Sequence, residues 1–219
     1  MVNVKLKKRI LDIAYANKLS HLGSYFSSID IIDSIYASMK SDDIFILSSG
    51  HAALALYCCL EKYHGKDAEY LFKKHGGHPH RDEEDKIYCS TGSLGLGITI
   101  ALGRAVANPN RTVHVLISDG ECAEGSVWES LKTIHEQQIN NLVVHVNING
   151  YAAYMKIDTE YLVARLRAFL PDIKIHHTTV EQFSFLRGLN AHYHVMKEED
   201  YKTALKELDE KTICTIITG

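Results

Sequence analysis

The chain has 219 residues, 46% of them hydrophobic and 23% charged, the balance of an ordinary globular domain rather than a disordered segment. A net charge of -3 gives no basic footprint for nucleic acid. The apolar runs fall far short of the roughly 20 residues that span a bilayer, so no membrane association is expected.

In chain order, residues 4–18 carry an apolar stripe at helical spacing, and a second helix is expected over 28–40 after a break at 20–24. Residues 43–47 read as a short buried strand running into Ser48-Ser49-Gly50-His51, with helices over 52–63 and 67–74 behind it. A polar, His-rich loop over 76–85 leads to a candidate short strand at 87–89, a glycine-rich turn and a helix over 94–107. Residues 112–117 and 142–148 are apolar runs suited to strands buried on both faces, and 126–138 between them has helical periodicity. A helix over 158–169, a strand over 173–176, a helix over 198–208 and a last buried strand over 213–217 complete the reading, with 150–156 and 178–194 irregular. Strands alternating with helices predict an α/β fold, a doubly wound, mainly parallel sheet with helices on both faces. No repeat or composition shift marks a boundary, so residues 1–219 are expected to form a single domain.

Cys58, Cys59, Cys89, Cys122 and Cys214 are odd in number and lack CxxC spacing, which argues against a disulfide framework or a zinc site. The basic N-terminus reads as an amphipathic helix without a cleavage site. A reducing, cytoplasmic location is expected. Thirteen histidines are many for this length and hint at chemistry.

In sheets of this kind ligands bind beyond the carboxyl ends of the strands, where the strand order reverses. Three turns fall there: Ser118-Asp119-Gly120-Glu121, Asn147-Ile148-Asn149-Gly150, and Gly92-Ser93-Leu94-Gly95-Leu96-Gly97. Asp119 and Asn149 are thirty residues apart, which one helix and one strand fill, so a right-handed crossover returns both side chains to the same sheet edge. A carboxylate and an amide oxygen are hard donors of the type magnesium or calcium selects. The plainer alternative is a helix cap at Asp119 and a turn at Asn149.

The wider pattern resembles the transketolase family. Asp119-Gly120-Glu121, Glu124-Gly125, Trp128-Glu129, Asn140-Asn141-Leu142 and Asn149-Gly150-Tyr151 are similar to its thiamine-diphosphate motif. Ser20-His21-Leu22-Gly23 with Ser27 and Asp30, the segment from Ser48 to Tyr57, Gly77-His78-Pro79 and the turn Gly92–Gly97 resemble its other ordered motifs. Ser118 departs from the first glycine of the GDG motif, Leu96 stands at a glutamine position, and no KGxG signature follows.

The resemblance implies that Asp119, Asn149 and the main-chain carbonyl of Tyr151 hold magnesium against the diphosphate of thiamine diphosphate. Gly120 would admit a phosphate oxygen, because any side chain would block it. His51 would contact the diphosphate, and Gly92, Ser93 and Leu94 would lie along the cofactor. His21 and His78 would face the reacting carbon, unless they are satisfied structural imidazoles. Glu121 and Glu124 resemble acidic groups at a subunit interface that set the cofactor's protonation, with helix capping the alternative for Glu124. His192 and His194 read as exposed loop residues or as a strand pair.

Family members also use a pyrimidine-binding domain that supplies an activating glutamate. The resemblance therefore implies a split enzyme: this chain as the diphosphate-binding subunit, and a second chain carrying the pyrimidine-binding and C-terminal domains, as a heterotetramer acting on a sugar substrate. The reaction implied is transfer of a two-carbon ketol unit. Alternatives are a 2-oxo-acid decarboxylase or deoxyxylulose-phosphate-synthase-like subunit, or a non-catalytic relative. A homodimer built around residues 126–138, with Glu121, Glu124 and Trp128 on an unpaired face, is expected of the isolated chain.

Overall fold

The computed structural model describes residues 3–218, with side chains described through residue 210. The elements run α1 (Val4–Ala16), α2 (Leu22–Ser38), β1 (Ile44–Leu47), α3 (Ala53–His64), α4 (Ala68–His75), α5 (Leu96–Ala107), β2 (Val113–Ser118), α6 (Gly125–Glu136), β3 (Leu142–Ile148), α7 (Thr159–Phe169), β4 (Lys174–His177), α8 (Asn190–Tyr193) and α9 (Glu198–Thr218). Several helices begin at side-chain caps: Asn3 accepts from Leu6 N–H, Asp67 from Tyr70 and Asp158 from Tyr161.

The strands form one sheet in the order β1-β2-β3-β4, with every pair parallel. On one face Ile46, Val115, Ile117, Val144 and Val146 pack with Ile98 of α5, Leu131 of α6 and Leu166 of α7. On the other, Phe45, Leu47 and Leu116 belong to a core with Leu11 of α1, Phe26 and Ile29 of α2, Leu56 of α3 and Ala204 of α9. Each large aliphatic side chain buried this way contributes about 1.5–3 kcal/mol. Burial on both faces is why the strands read as mostly apolar runs.

The α/β class and the two helical layers agree with the sequence reading, but the strand order does not reverse. The crossover helices α5, α6 and α7 share one face, and the N-terminal helices cover the other. Three elements differ. Residues 87–89 do not join the sheet, since Ile87 makes only an isolated antiparallel bridge with Asp82. Residues 213–217 lie inside α9 rather than in a strand. A five-residue run with four β-branched residues reads equally as strand or helix, and no glycine or proline interrupts 198–218. The supposed break at 20–24 contains the first turn of α2: Gly23 serves close packing there, as a Cβ would stand 3.0 Å from both Ala191 and Val180.

The α2 side of the sheet also carries polar groups. Nδ1 of His114 (β2) lies 3.3 Å from Nε2 of His145 (β3), and Nδ1 of His145 lies 3.0 Å from Nε2 of His176 (β4). Asp43, before β1, stands 3.8 Å from Nε2 of His114 and closes one end of this ladder. Beside it, buried Asn147 donates to Ser27 and Ser28 of α2 and accepts from Thr178. Among the described residues no helix is long and apolar enough to cross a membrane.

Candidate functional site

A cleft of about 250 Å³ opens beyond the carboxyl ends of β2 and β3. Its floor is the turn after β2. Asp119 is 2% exposed, and its Oδ1 accepts from the Gly120 N–H at 3.0 Å. Its Oδ2 accepts from the N–H groups of Asn149 at 2.9 Å and Gly150 at 2.7 Å. The carboxylate is thereby fixed to the turn after β3, where Asn149 Oδ1 accepts from Tyr151 N–H at 3.0 Å. Burial raises the Asp119 carboxyl to about 6, against the lowering effect of those N–H donors. Gly120 leaves its side-chain space open toward the cleft, with Ala152 the nearest atom to a built Cβ at 3.4 Å. Gly92, at φ 113°, has nothing within 4 Å of that position. Neither glycine is required by packing, so both leave room for a ligand to approach backbone.

Histidines form the opposite wall. His21 holds a left-handed conformation (φ 66°) at the N-terminus of α2, with its N–H donating to the His192 carbonyl at 2.8 Å. His51 comes from the short turn Gly50–Ala52 after β1, and His78 from the loop behind α4. The ring of His21 lies 5.9 Å from that of His51, 6.4 Å from His78 and 4.3 Å from His192. Burial, together with neighbouring imidazoles, lowers His21 to about 4 and His51 to about 3; burial alone lowers His192. These three rings are neutral at physiological pH, available as hydrogen-bond partners rather than as cations. The loop carrying His78 is anchored by Tyr57, whose hydroxyl donates to Gly76 O at 2.9 Å, and by Asp85, which binds Lys66, Lys74 and His75.

The structure thus gathers His21, His51, His78, Gly92, Leu94, Gly120, Asn149 and Tyr151 around one cleft, with Asp119 beneath it. Ser93 sits in the same turn, accepting from Leu96 N–H at 3.4 Å, but is not among the cleft-lining residues. Glu121 turns away: it is 0% exposed and bonds to Ser48, Gly95 and Ser118, so it is not a surface group awaiting a partner chain. Glu124 occupies the cap position of α6 without a side-chain capping bond. His192 corrects the loop reading, because α8 carries it into the cleft, while His194 pairs with Asp200 at 2.9 Å instead. Nothing local in the sequence distinguishes the two. Trp128 is not on an open face either: the guanidinium of Arg165 lies 4.2 Å from its ring and Phe169 5.1 Å, so α7 covers that part of α6.

Among the described residues no lysine or arginine forms an ion pair with Asp119 or Glu121. A buried carboxylate with no cation beside it is costly, and hard oxygens from Asp119, Asn149 and the Tyr151 carbonyl suit a magnesium-type ion. The residues present therefore fit a divalent metal with an anionic ligand.

The family profile described as transketolase, thiamine diphosphate binding domain, matches residues 12–169. An apulose-4-phosphate transketolase subunit from Actinobacillus succinogenes is 32% identical over 144 residues, 57% of this chain and 52% of that protein. The protein of the same name from Phocaeicola vulgatus is 25% identical over 260 residues, covering 94% of this chain and 92% of that one. Human transketolase is 35% identical over 119 residues, 49% of this chain but 19% of its own length. Transketolase from Leishmania mexicana superposes with a TM-score of 0.73 at 20% identity, covering 95% of this chain and 42% of that one. The chain spans about half the length of the first of these relatives and about two fifths of the solved enzyme. With the profile matched over more than half of its length and its turns assembled around one cleft, the chain belongs to the transketolase family as a thiamine-diphosphate-binding domain.

Proposed function

We propose that this chain is the diphosphate- and magnesium-binding half of a two-chain, thiamine-diphosphate-dependent transketolase-like enzyme. The reaction assigned is transfer of a two-carbon ketol unit from a ketose phosphate to an aldehyde acceptor. The observation that carries the reading is the turn pair 119–120 and 149–151, cross-bonded through Asp119, facing the histidine wall of the same cleft. The names of the two apulose-4-phosphate transketolase relatives favour a phosphorylated ketose as donor.

Asp119, Asn149 and the Tyr151 carbonyl would hold the metal, and Gly120 and Gly92 would let phosphate and ring approach the backbone. Bound there, thiamine diphosphate supplies the nucleophilic carbon of its thiazolium ring. His21, His78 and His192 then face the substrate's oxygens. Ser20 Oγ lies 2.8 Å from Nδ1 of His21, which leaves Nε2 for the ligand. The His21 and His192 imidazoles, kept neutral by burial, each donate or accept one hydrogen bond per nitrogen, orienting a hydroxyl or carbonyl without competing for the diphosphate as a cation would.

The half of the site that grips the pyrimidine ring would come from a second chain. Leu94, Leu96 and Ile100 are exposed on and before α5, and Tyr154 and Met155 follow the cleft-lining Ala153, an apolar rim beside the opening. Such a rim is the expected seat of a partner, and a heterotetramer follows if each chain also pairs with its own copy. Co-purification with the second chain, followed by thiamine-diphosphate titration with and without it, tests the reading. Magnesium-dependent binding and ketol transfer only in the mixture are expected. Turnover by the chain alone would overturn the two-chain assignment.

A further inference from the structure

We propose that Glu121 is a positioning residue that acts with Ser118 to brace three turns of the cofactor site, touching neither metal nor cofactor itself. This rests on the reading of the cleft as a thiamine-diphosphate site. Oε1 of Glu121 accepts from the Ser48 hydroxyl at 2.5 Å and the Gly95 N–H at 3.0 Å. Oε2 accepts from the Ser118 N–H at 2.9 Å and the Ser118 hydroxyl at 3.3 Å. Ser48 precedes the turn that carries His51, Gly95 follows the Gly92–Leu94 stretch, and Ser118 precedes Asp119. One buried carboxylate therefore joins three segments that meet only in the fold.

The donor set demands a carboxylate. The two backbone N–H groups only donate, so the group between them must accept on every side. Glutamine would turn an NH₂ toward one of the donors and leave it unsatisfied. The surroundings leave little slack, because a Cβ on Gly97 would stand 2.4–2.6 Å from Ser48 and one on Gly95 would stand 2.6 Å from Ser126 Oγ. The brace also accounts for Ser118 in place of a glycine: its hydroxyl and its N–H both serve the same carboxylate oxygen. Trp128, the chain's single tryptophan, donates to the carbonyl of Cys122 at 2.9 Å, directly after Glu121. Its emission therefore reports on the braced turn without any cofactor.

The test compares Glu121→Gln, Ser118→Gly and the double variant, each with the second chain, by thiamine-diphosphate titration in magnesium, alongside Trp128 emission without cofactor. Glu121→Gln is expected to weaken magnesium-dependent binding at least about tenfold, as loss of a ligand's outer support does. It should also shift Trp128 emission and leave kcat near wild type once cofactor and metal saturate. Ser118→Gly should show a smaller loss that disappears in the Glu121→Gln background, because the serine acts through the carboxylate. A folded Glu121→Gln protein with wild-type affinity and emission, or a double variant with additive losses, overturns the brace. If Glu121→Gln does not fold, Ser118→Gly carries the test, and unchanged affinity in it overturns the brace. Absence of binding by the wild-type complex overturns the functional reading and this role with it, whereas an unshifted Trp128 in a binding complex overturns the brace alone.

Discussion

The histidine ladder makes this chain acid-sensitive in a calculable way. His145 is 9% exposed and held at about 3 from an ordinary 6.5, chiefly by burial, then by His176, His114 and Lys174. Its folded-state value is depressed, so the unfolded chain takes up the proton first. The stabilisation is complete above the unfolded value and drains away as pH falls from 6.5 toward 3. At about 1.4 kcal/mol per pKa unit the full gap corresponds to about 5 kcal/mol, of which about 2 kcal/mol is lost between pH 7 and 5. Against a typical domain stability of about 5–15 kcal/mol, that is a large fraction. The charged groups facing the ladder are Asp43 at one end and Lys174 at the start of β4, with Asp30 and Lys7 in the cleft that His176 lines. His145→Phe removes the central titrating ring. It should lower stability at pH 7 by about 1–3 kcal/mol, because His114 and His176 each lose a partner. It should also flatten the decline between pH 7 and 5 by about 2 kcal/mol. Denaturant unfolding at pH 7, 6 and 5, followed by Trp128 fluorescence, measures both effects. His21 and His51 contribute the same sign in both proteins and drop out of the comparison. Parallel stability–pH curves for the two proteins would refute the reasoning.

Asp119→Ala should keep the fold but bind thiamine diphosphate at least about tenfold more weakly in magnesium, since it removes the one anionic ligand opposite a divalent ion; calorimetry with the second chain present checks this. Gly97→Ala drives a Cβ to 2.6 Å from the Ser48 backbone, and an overpacking cost of about 1–3 kcal/mol should lower the melting temperature of the chain. Mixing the purified chain with its partner should switch on ketol transfer that neither shows alone, measured as aldose consumed over time.

Much of the fold is legible because its strands are buried on both faces and leave mostly apolar runs, as in Val113–Ser118 and Leu142–Ile148. The turn pair at 119 and 149 is legible because Asp119 and Asn149 are spaced by one crossover, which topology converts into proximity. What stays hidden depends on distant partners. Glu121 reads as an acidic group at a subunit interface until Ser48, 73 residues away, is folded against it. His192 reaches the cleft only because α8 packs against Gly23 of α2, a contact no local pattern encodes. The apolar run 213–217 misleads because side-chain character alone does not separate a buried strand from a helix of the same length.

The ladder has a direction as well as a charge. In each contact Nδ1 of one ring faces Nε2 of the next, so one must donate and the other accept, and the nitrogen of His114 that carries the proton sets the roles along the row. With Nδ1 of His114 accepting, Nε2–H of His145 donates to it and Nε2–H of His176 donates to Nδ1 of His145; with that Nδ1 protonated, both bonds reverse. Three imidazoles on three successive strands thus share one of two tautomer patterns, with the Asp43 carboxylate 3.8 Å from Nε2 of His114 at one end. The row is a polar chain whose sense can reverse without moving a heavy atom.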